Sequence, residues 1–168
     1  MSRLRSSDVH VSWVVPANMH ITLKFLGDQP DDAVAAICQA VRTGAAGVPA
    51  FDFRCHAAGA FPSVERPRTL WLGVADGLAE FQALHAAIDG ALALQRFSKD
   101  RQQFRPHLTL GRVRSAGPSL QQLADVLRTL HDFDGGTTEV DEVTVFASEL
   151  TRSGPTYEVL ARAPLDAS

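Results

Sequence analysis

The sequence predicts an α+β protein on three observations. Strand-type and helix-type periodicities alternate along its 168 residues, no linker or low-complexity stretch divides them, and the composition, 45% hydrophobic and 21% charged, is that of an ordinary globular chain. A chain of this length forms one domain or two small, closely packed lobes, with enough residues to bury a core of its own. No apolar run approaches the roughly 18 residues that a membrane-spanning helix needs. The opening "MSRLRSSDVHVSWVV" carries two arginines but no apolar signal core followed by a small-residue cleavage site, so no export is expected. Cys38 and Cys55 form no CxxC pair and read as small buried apolar residues, which suits a reducing cytoplasm.

The elements follow in order. "VHVSWVV" puts Val9, Val11, Trp13 and Val15 on one face of a strand that Pro16 ends, and "NMHITLKFLG", Asn18 to Gly27, reads as a second strand. Pro30, Asp31 and Asp32 start a helix whose apolar positions Val34, Ile37, Cys38 and Val41 follow the i, i+3, i+4, i+7 rule, with "GAAG" at its end. The acidic residues of its first turn suit the helix dipole. "AFDFRCHA" alternates Phe51, Phe53, Cys55 and Ala57 as a strand, "GAFPSVERPR" reads as a loop, and "RTLWLGV" is a strand with Leu70, Leu72 and Val74 on one face and Trp71 on the other. Leu78, Phe81, Leu84, His85, Ile88 and Leu92 mark a second helix, and "FRPHLTLGRV" another strand. Pro118 and Ser119 cap a third helix with Leu120, Leu123, Leu127 and Leu130 inward. Strands at "EVDEVTVFAS" and "TYEVLARA", joined by the turn "RSGP", end the chain.

Two of these strands contain a histidine where burial alone would not place one. A lone His-x-Thr is most simply a core histidine satisfied by a backbone carbonyl, but here the pattern occurs twice, at His20/Thr22 and, 87 positions later, at His107/Thr109. Side chains at i and i+2 of a strand share a face, so each histidine is paired with its own threonine, and the four polar groups are expected to converge between two lobes. Two imidazoles and two hydroxyls are too few ligands for a structural zinc site, since threonine binds zinc poorly and no further His, Cys or carboxylate has suitable spacing. His10, His56, His85 and His131 are isolated, and helical spacing makes His85 a partly buried packing residue.

The net charge of −3 argues against indiscriminate nucleic-acid binding. Its distribution is uneven: Arg96 to Arg114 carries six basic residues and one aspartate, a local +5 that leaves −8 for the remainder. Such a run reads either as a solvated face or as an anion site, and its position around the second histidine motif favours the anion site.

Chemistry that uses two histidines and two hydroxyl donors is in-line phosphodiester cleavage. One neutral imidazole takes a proton from the nucleophile and a protonated one gives a proton to the leaving oxygen, which histidine can do in either form near neutral pH. Threonine hydroxyls can donate to the non-bridging oxygens as charge grows there. No metal or cofactor is required.

At this level of detail the sequence resembles the two-histidine phosphoesterases, and among them the RNA 2′,3′-cyclic phosphodiesterases, also called 2′-5′ RNA ligases or LigT-like proteins. The resemblance rests on "WVVPANMHITLKFLG", "GAFPSVERPRTLWLG", "FRPHLTLGRV" and "FASELTRSGPTYEVLA" and covers nearly the whole chain. It implies a single bilobal domain over 1–168 with antiparallel sheets around a central cleft and helices outside. It also implies hydrolysis of a terminal ribose 2′,3′-cyclic phosphate to a 2′-phosphate, with reversible 2′-5′ ligation as a further activity. His20 is then the general acid, His107 the base, and Thr22 and Thr109 their partners. An aromatic and an arginine five residues after the histidines hold the nucleobase in the family, positions occupied here by Phe25 and Arg112. RNA ends and nucleoside 2′,3′-cyclic phosphates are the implied partners.

Three points stay open at this stage. Residues i and i+5 of a regular strand face opposite ways, so Arg112 needs a break at Gly111 to join His107, and Phe25 reads equally well as a core aromatic. Relatives usually begin with an extra strand and helix, whereas 19 residues precede His20, so that unit is expected to be missing and self-association through an exposed sheet edge is expected to follow. An RNA-end binding module without turnover would need the same basic run but not two histidines with paired threonines, whereas a phosphodiesterase acting on another cyclic or 2′-5′ linked nucleotide would keep every residue named.

Overall fold

The computed structural model describes Leu4 and residues 9–114, 119–151 and 154–167. Pro118, Arg152, Ser153 and all of Met1 to Asp8 except Leu4, on which some of the expectations above fall, lie outside the described residues. The chain divides into two compact units, each assembled from three separated stretches: Met1–Thr22, Phe53–Asp76 and Pro106–Thr138 form the first, Leu23–Asp52, Gly77–Arg105 and Glu139–Ser168 the second. This interleaving explains why no linker composition is visible. None of the described helices is long and apolar enough to cross a membrane.

The first unit is built on a five-stranded sheet in the order β1-β4-β3-β2-β5. Its strands are β1 (Val11–Trp13), β2 (Phe51–Pro62), β3 (Pro67–Val74), β4 (His107–Val113) and β5 (Asp134–Val140). The ladders of β1 with β4, β4 with β3 and β3 with β2 are antiparallel. One face carries the alternating Leu70 and Leu110 with Ala60, and packs on Leu123 and Leu127 of α3 (Ser119–Arg128) and on Leu130 just after it. Leu70, Leu123 and Leu127 are almost wholly removed from water, a burial that stabilises by about 1.5–3 kcal/mol per side chain.

Three expectations are corrected here. "GAFPSVERPR" is not a loop throughout: Gly59 to Pro62 continue β2, and Pro67 and Arg68 belong to β3. Its glycine serves packing rather than a turn, because a Cβ at Gly59 would lie 2.4 Å from the Trp71 ring. The alternation that starts at Phe53 and Cys55 shifts register at Ala57, a bulge residue with φ of 59° between His56 and Ala58, after which Ala60 is the buried position. β5 was hidden by Gly135 and Gly136, which resemble turn residues; Gly135 is small because its Cβ would sit 2.7 Å from the Cys55 Cβ. "NMHITLKFLG" is not a strand. After β1 the chain makes a 3-10 turn at Pro16–Asn18, leaves Val15 exposed, and returns to β4 only through an isolated bridge at Ile21.

In the second unit, α1 (Val34–Ala45) follows a 3-10 turn at Asp31–Ala33 and buries Ile37, Cys38 and Val41 as its spacing predicts. It crosses α2 (Leu78–Leu94) closely at Gly44, where a Cβ would meet the Ala87 carbonyl oxygen and Ile88 Cα at 2.9 Å each. Leu84, Ile88 and Leu92 from α2 complete this core with Val143 of β6 (Glu142–Thr151) and Ala163 of β7 (Gly154–Pro164), an antiparallel pair.

Candidate active site

The site begins with the outer edge of β4. β1 pairs there first, Val11 with Val113 and Trp13 with Gly111, and the Val14 amide donates to the Leu110 carbonyl at 2.9 Å. Beyond the Pro16–Asn18 turn, the same edge receives Ile21 opposite Leu108 in an antiparallel bridge. The chain on either side of the bridge therefore runs His20 towards Thr109 and Thr22 towards His107. Neighbours in extended chain point to opposite sides. Ile21 and Leu108 take one side, which leaves the other to the two histidines and two threonines. The two motifs are crossed, each histidine flanked by the other motif's threonine. Both belong to the first unit.

His20 is half-buried and its Nδ1 lies 2.9 Å from the Asn18 carbonyl oxygen. A carbonyl only accepts, so Nδ1 carries the hydrogen of this bond. The carbonyl partner anticipated for an isolated core histidine is thus present, and it orients the ring.

Arg112 answers the parity problem. Along β4, His107 pairs with Gly73 and Thr109 with Trp71, but the register then slips, so that Gly111 faces Leu70 and Arg112 faces Thr69. Leu110 is the extra residue. Both Leu110 and Gly111 lean towards α3, and Arg112 returns to the side of Thr109 and His107, since Thr69, Trp71 and Gly73 alternate onto one face of β3. Gly111 is required there by close approach: a Cβ would lie 2.8 Å from Val11 Cγ1 and 2.9 Å from the Ser12 carbonyl oxygen. Ser12, opposite Arg112, shares that face, and its hydroxyl oxygen accepts a hydrogen bond from Arg114 Nε at 3.1 Å.

A match to the 2′-5′ RNA ligase superfamily spans residues 6–152, most of the chain and all of this geometry. The chain belongs to the 2′-5′ RNA ligase superfamily. It is similar to the RNA 2′,3′-cyclic phosphodiesterase of Aeropyrum pernix, with 34% identity over 95% of this chain and 92% of that one. The enzyme of the same name from Methanothermobacter thermautotrophicus is 36% identical over 92% of this chain and 82% of its own. Among solved structures, a Thermus thermophilus protein superposes with a TM-score of 0.79 over 98% of this chain and 86% of that one at 24% identity, a likeness of fold. E. coli LigT in apo form gives 0.70 over 92% and 80% at 25% identity.

For this 2′-5′ RNA ligase superfamily chain one sequence candidate remains. Phe25 lies in the second unit and is 79% exposed, so it is no core aromatic. It lines a cavity of about 390 Å³ with Gln29, Phe97, Lys99 and Arg101. Beneath it Lys24, whose side chain is only 5% exposed, is held by Asp89 at 2.6 Å and Asp100 at 2.9 Å, and His85 Nε2 meets Asp100 at 3.0 Å. Burial works to lower the Lys24 pKa, but the two carboxylates outweigh it and raise it. Burial likewise works to raise Asp100, and hydrogen bonds from Lys24 and His85 carry it below the usual carboxylate range. His85 stacks on Phe104 at 4.3 Å, the packing role its helical spacing suggested. The basic run is divided: Arg96, Lys99, Arg101 and Arg105 belong to this unit, and Arg112 and Arg114 to the first. Among the described residues no three His, Cys, Asp or Glu side chains cluster as metal ligands would.

Sequence reasoning missed the aromatic neighbours of His107. Phe61 lies edge-on to its imidazole at 5.0 Å, and Trp71 lies 5.3 Å from Phe61. The signal was available in the placement of Trp71 on the face opposite Leu70 and Leu72, which is the face of His107.

Proposed function

We propose that this chain hydrolyses the terminal ribose 2′,3′-cyclic phosphate of RNA to a 2′-phosphate. The antiparallel Ile21–Leu108 bridge carries the reading, because it supports two imidazoles and two hydroxyls sharing one side of one sheet edge. The two relatives named RNA 2′,3′-cyclic phosphodiesterase support the substrate. His107 takes a proton from water as its oxygen attacks phosphorus; the bond from phosphorus to the 3′ oxygen breaks, and protonated His20 gives its Nε2 proton to that oxygen. The products are a 2′-phosphate and a 3′-hydroxyl. Thr22 and Thr109 donate hydrogen bonds to the non-bridging oxygens, whose charge grows in the transition state. Arg112 and Phe25 bind the nucleotide. With a 5′-hydroxyl in place of water, the same steps form a 2′-5′ phosphodiester, and their reversal cleaves one.

The test is product analysis after incubating RNA that ends in a 2′,3′-cyclic phosphate with the protein in the presence of chelator. A 2′-phosphate end is expected. A 3′-phosphate end, or intact substrate with tight binding, would overturn the reading, the second outcome in favour of an RNA-end binding module.

The partners on this reading are RNA ends and nucleoside 2′,3′-cyclic phosphates in a reducing cytoplasm. A second copy of the chain is a further partner. β6 and β7 form a two-stranded sheet on which Leu150, Val159 and Leu160 are exposed, the kind of surface that a neighbouring copy covers. Sedimentation across micromolar concentrations should show a dimer, and a monomer throughout would remove this partner.

A further inference from the structure

The sheet face that carries His107 also carries two close-packed rings, Trp71 and Phe61. A Cβ at Gly59 would lie 2.4 Å from Trp71 Cη2 and Cζ2, and one at Gly73 would lie 3.4 Å from Trp71 Cζ3. The indole therefore lies flat across two strands on a bed that only glycine allows. Its Nε1 is buried and has no hydrogen-bond partner among the described residues, so shape and packing hold the ring rather than its polar group. Phe61, two residues beyond Gly59 on β2, leans on the indole with ring centroids 5.3 Å apart at 39°, and meets the His107 imidazole at 5.0 Å and 84°. Edge-to-face pairs at this separation are attractive and orientation-dependent.

The torsion that sets an imidazole plane is broad and roughly two-fold, so the backbone leaves the direction of the ring nitrogens open. A perpendicular ring packed against it restricts that rotation. We propose that Phe61, braced by Trp71 on Gly59, is a positioning residue that fixes the plane of the His107 imidazole for proton transfer. The proposal rests on the cyclic phosphodiesterase reading and deepens it, because proton transfer needs the nitrogen within hydrogen-bond reach of the attacking water, and a displacement of about 1 Å can cost about 10²-fold in rate.

The experiment compares Phe61→Leu, Phe61→Tyr and Gly59→Ala with wild type on a nucleoside 2′,3′-cyclic phosphate. Phe61→Leu should lower kcat by about 10- to 100-fold, the scale of such a misplacement, with KM within about two-fold. Phe61→Tyr keeps the ring and should restore most of kcat. Gly59→Ala adds a methyl that must push the indole aside, so kcat should fall although the residue has no side chain to touch substrate. The His107 Cε1–H resonance of the resting protein should lose its ring-current displacement in Phe61→Leu and keep it in Phe61→Tyr. Should Phe61→Leu fail to fold, Gly59→Ala and Phe61→Tyr decide by the same split between kcat and KM. Unchanged kcat in folded Phe61→Leu, or a raised KM with kcat intact, overturns the positioning role while leaving the cyclic phosphodiesterase reading in place. Wild-type protein inert towards cyclic phosphates overturns that reading itself, and the positioning role with it.

Discussion

Arg112 stands opposite Thr69 because Leu110 is an extra residue in β4, and this single slip puts the guanidinium on the side of His107 and Thr109. An arginine there can stack on a base as well as meet a phosphate. Arg112→Ala should raise KM for nucleoside 2′,3′-cyclic phosphates more than for the cyclic phosphate of ethylene glycol, which has no π-face to lose. Equal losses on both would assign Arg112 to the phosphate instead.

The crossed motifs predict that His20→Ala and His107→Ala each lower turnover by about 10²- to 10⁴-fold, the usual scale for a general acid or base. Thermal unfolding should shift little, since both rings are only half-buried. Turnover should survive chelation, and loss with EDTA followed by recovery with zinc would require a metal mechanism in its place.

Gly111 is where β1 presses on β4. A methyl there, 2.8 Å from Val11 Cγ1 and 2.9 Å from the Ser12 carbonyl oxygen, must move backbone as well as side chain. Gly111→Ala should destabilise the protein by about 1–3 kcal/mol, the usual penalty of overpacking, measured by urea unfolding. A neutral effect would mean that β1 is free to shift outward.

The Lys24 network predicts a plateau of stability with two limbs. Asp100 is lowered from its ordinary 3.8, so its contribution is fully present above that value and is lost as pH falls through the lower folded one. Lys24 is raised from its ordinary 10.5, so its contribution is full below 10.5 and is lost as pH rises through the higher folded one. Lys24→Met leaves Asp89, 13% exposed, without its cation and should destabilise by about 3 kcal/mol near neutral pH. It should also remove the Lys24 share of the alkaline limb. Urea midpoints between pH 3 and about 11 check both, and a midpoint unchanged near neutrality would show that the network contributes no net stability.

Periodicity by itself determined the helices and the cores they face. Ile37, Cys38 and Val41 are buried as their spacing requires, and so are Leu123 and Leu127, because a helix presents its sides in an order set by its own geometry. The repeated His-x-Thr was equally legible, since its chemistry lies in residue types and spacing. Pairing and register were not, because a strand's partners come from distant segments and one inserted residue changes its face. Asn18 to Gly27 has a strand's composition, yet only Ile21 bridges to β4. Asp134 to Val140 has a turn's glycines, yet Gly135 lets β5 approach Cys55 of β2. Leu110 and Ala57 look like ordinary members of alternating runs, yet as bulges they turn Arg112 towards His107 and Ala60 towards the core. Tertiary structure alone decided which side chains share the face of His107, because that depends on backbone contacts between strands tens of residues apart.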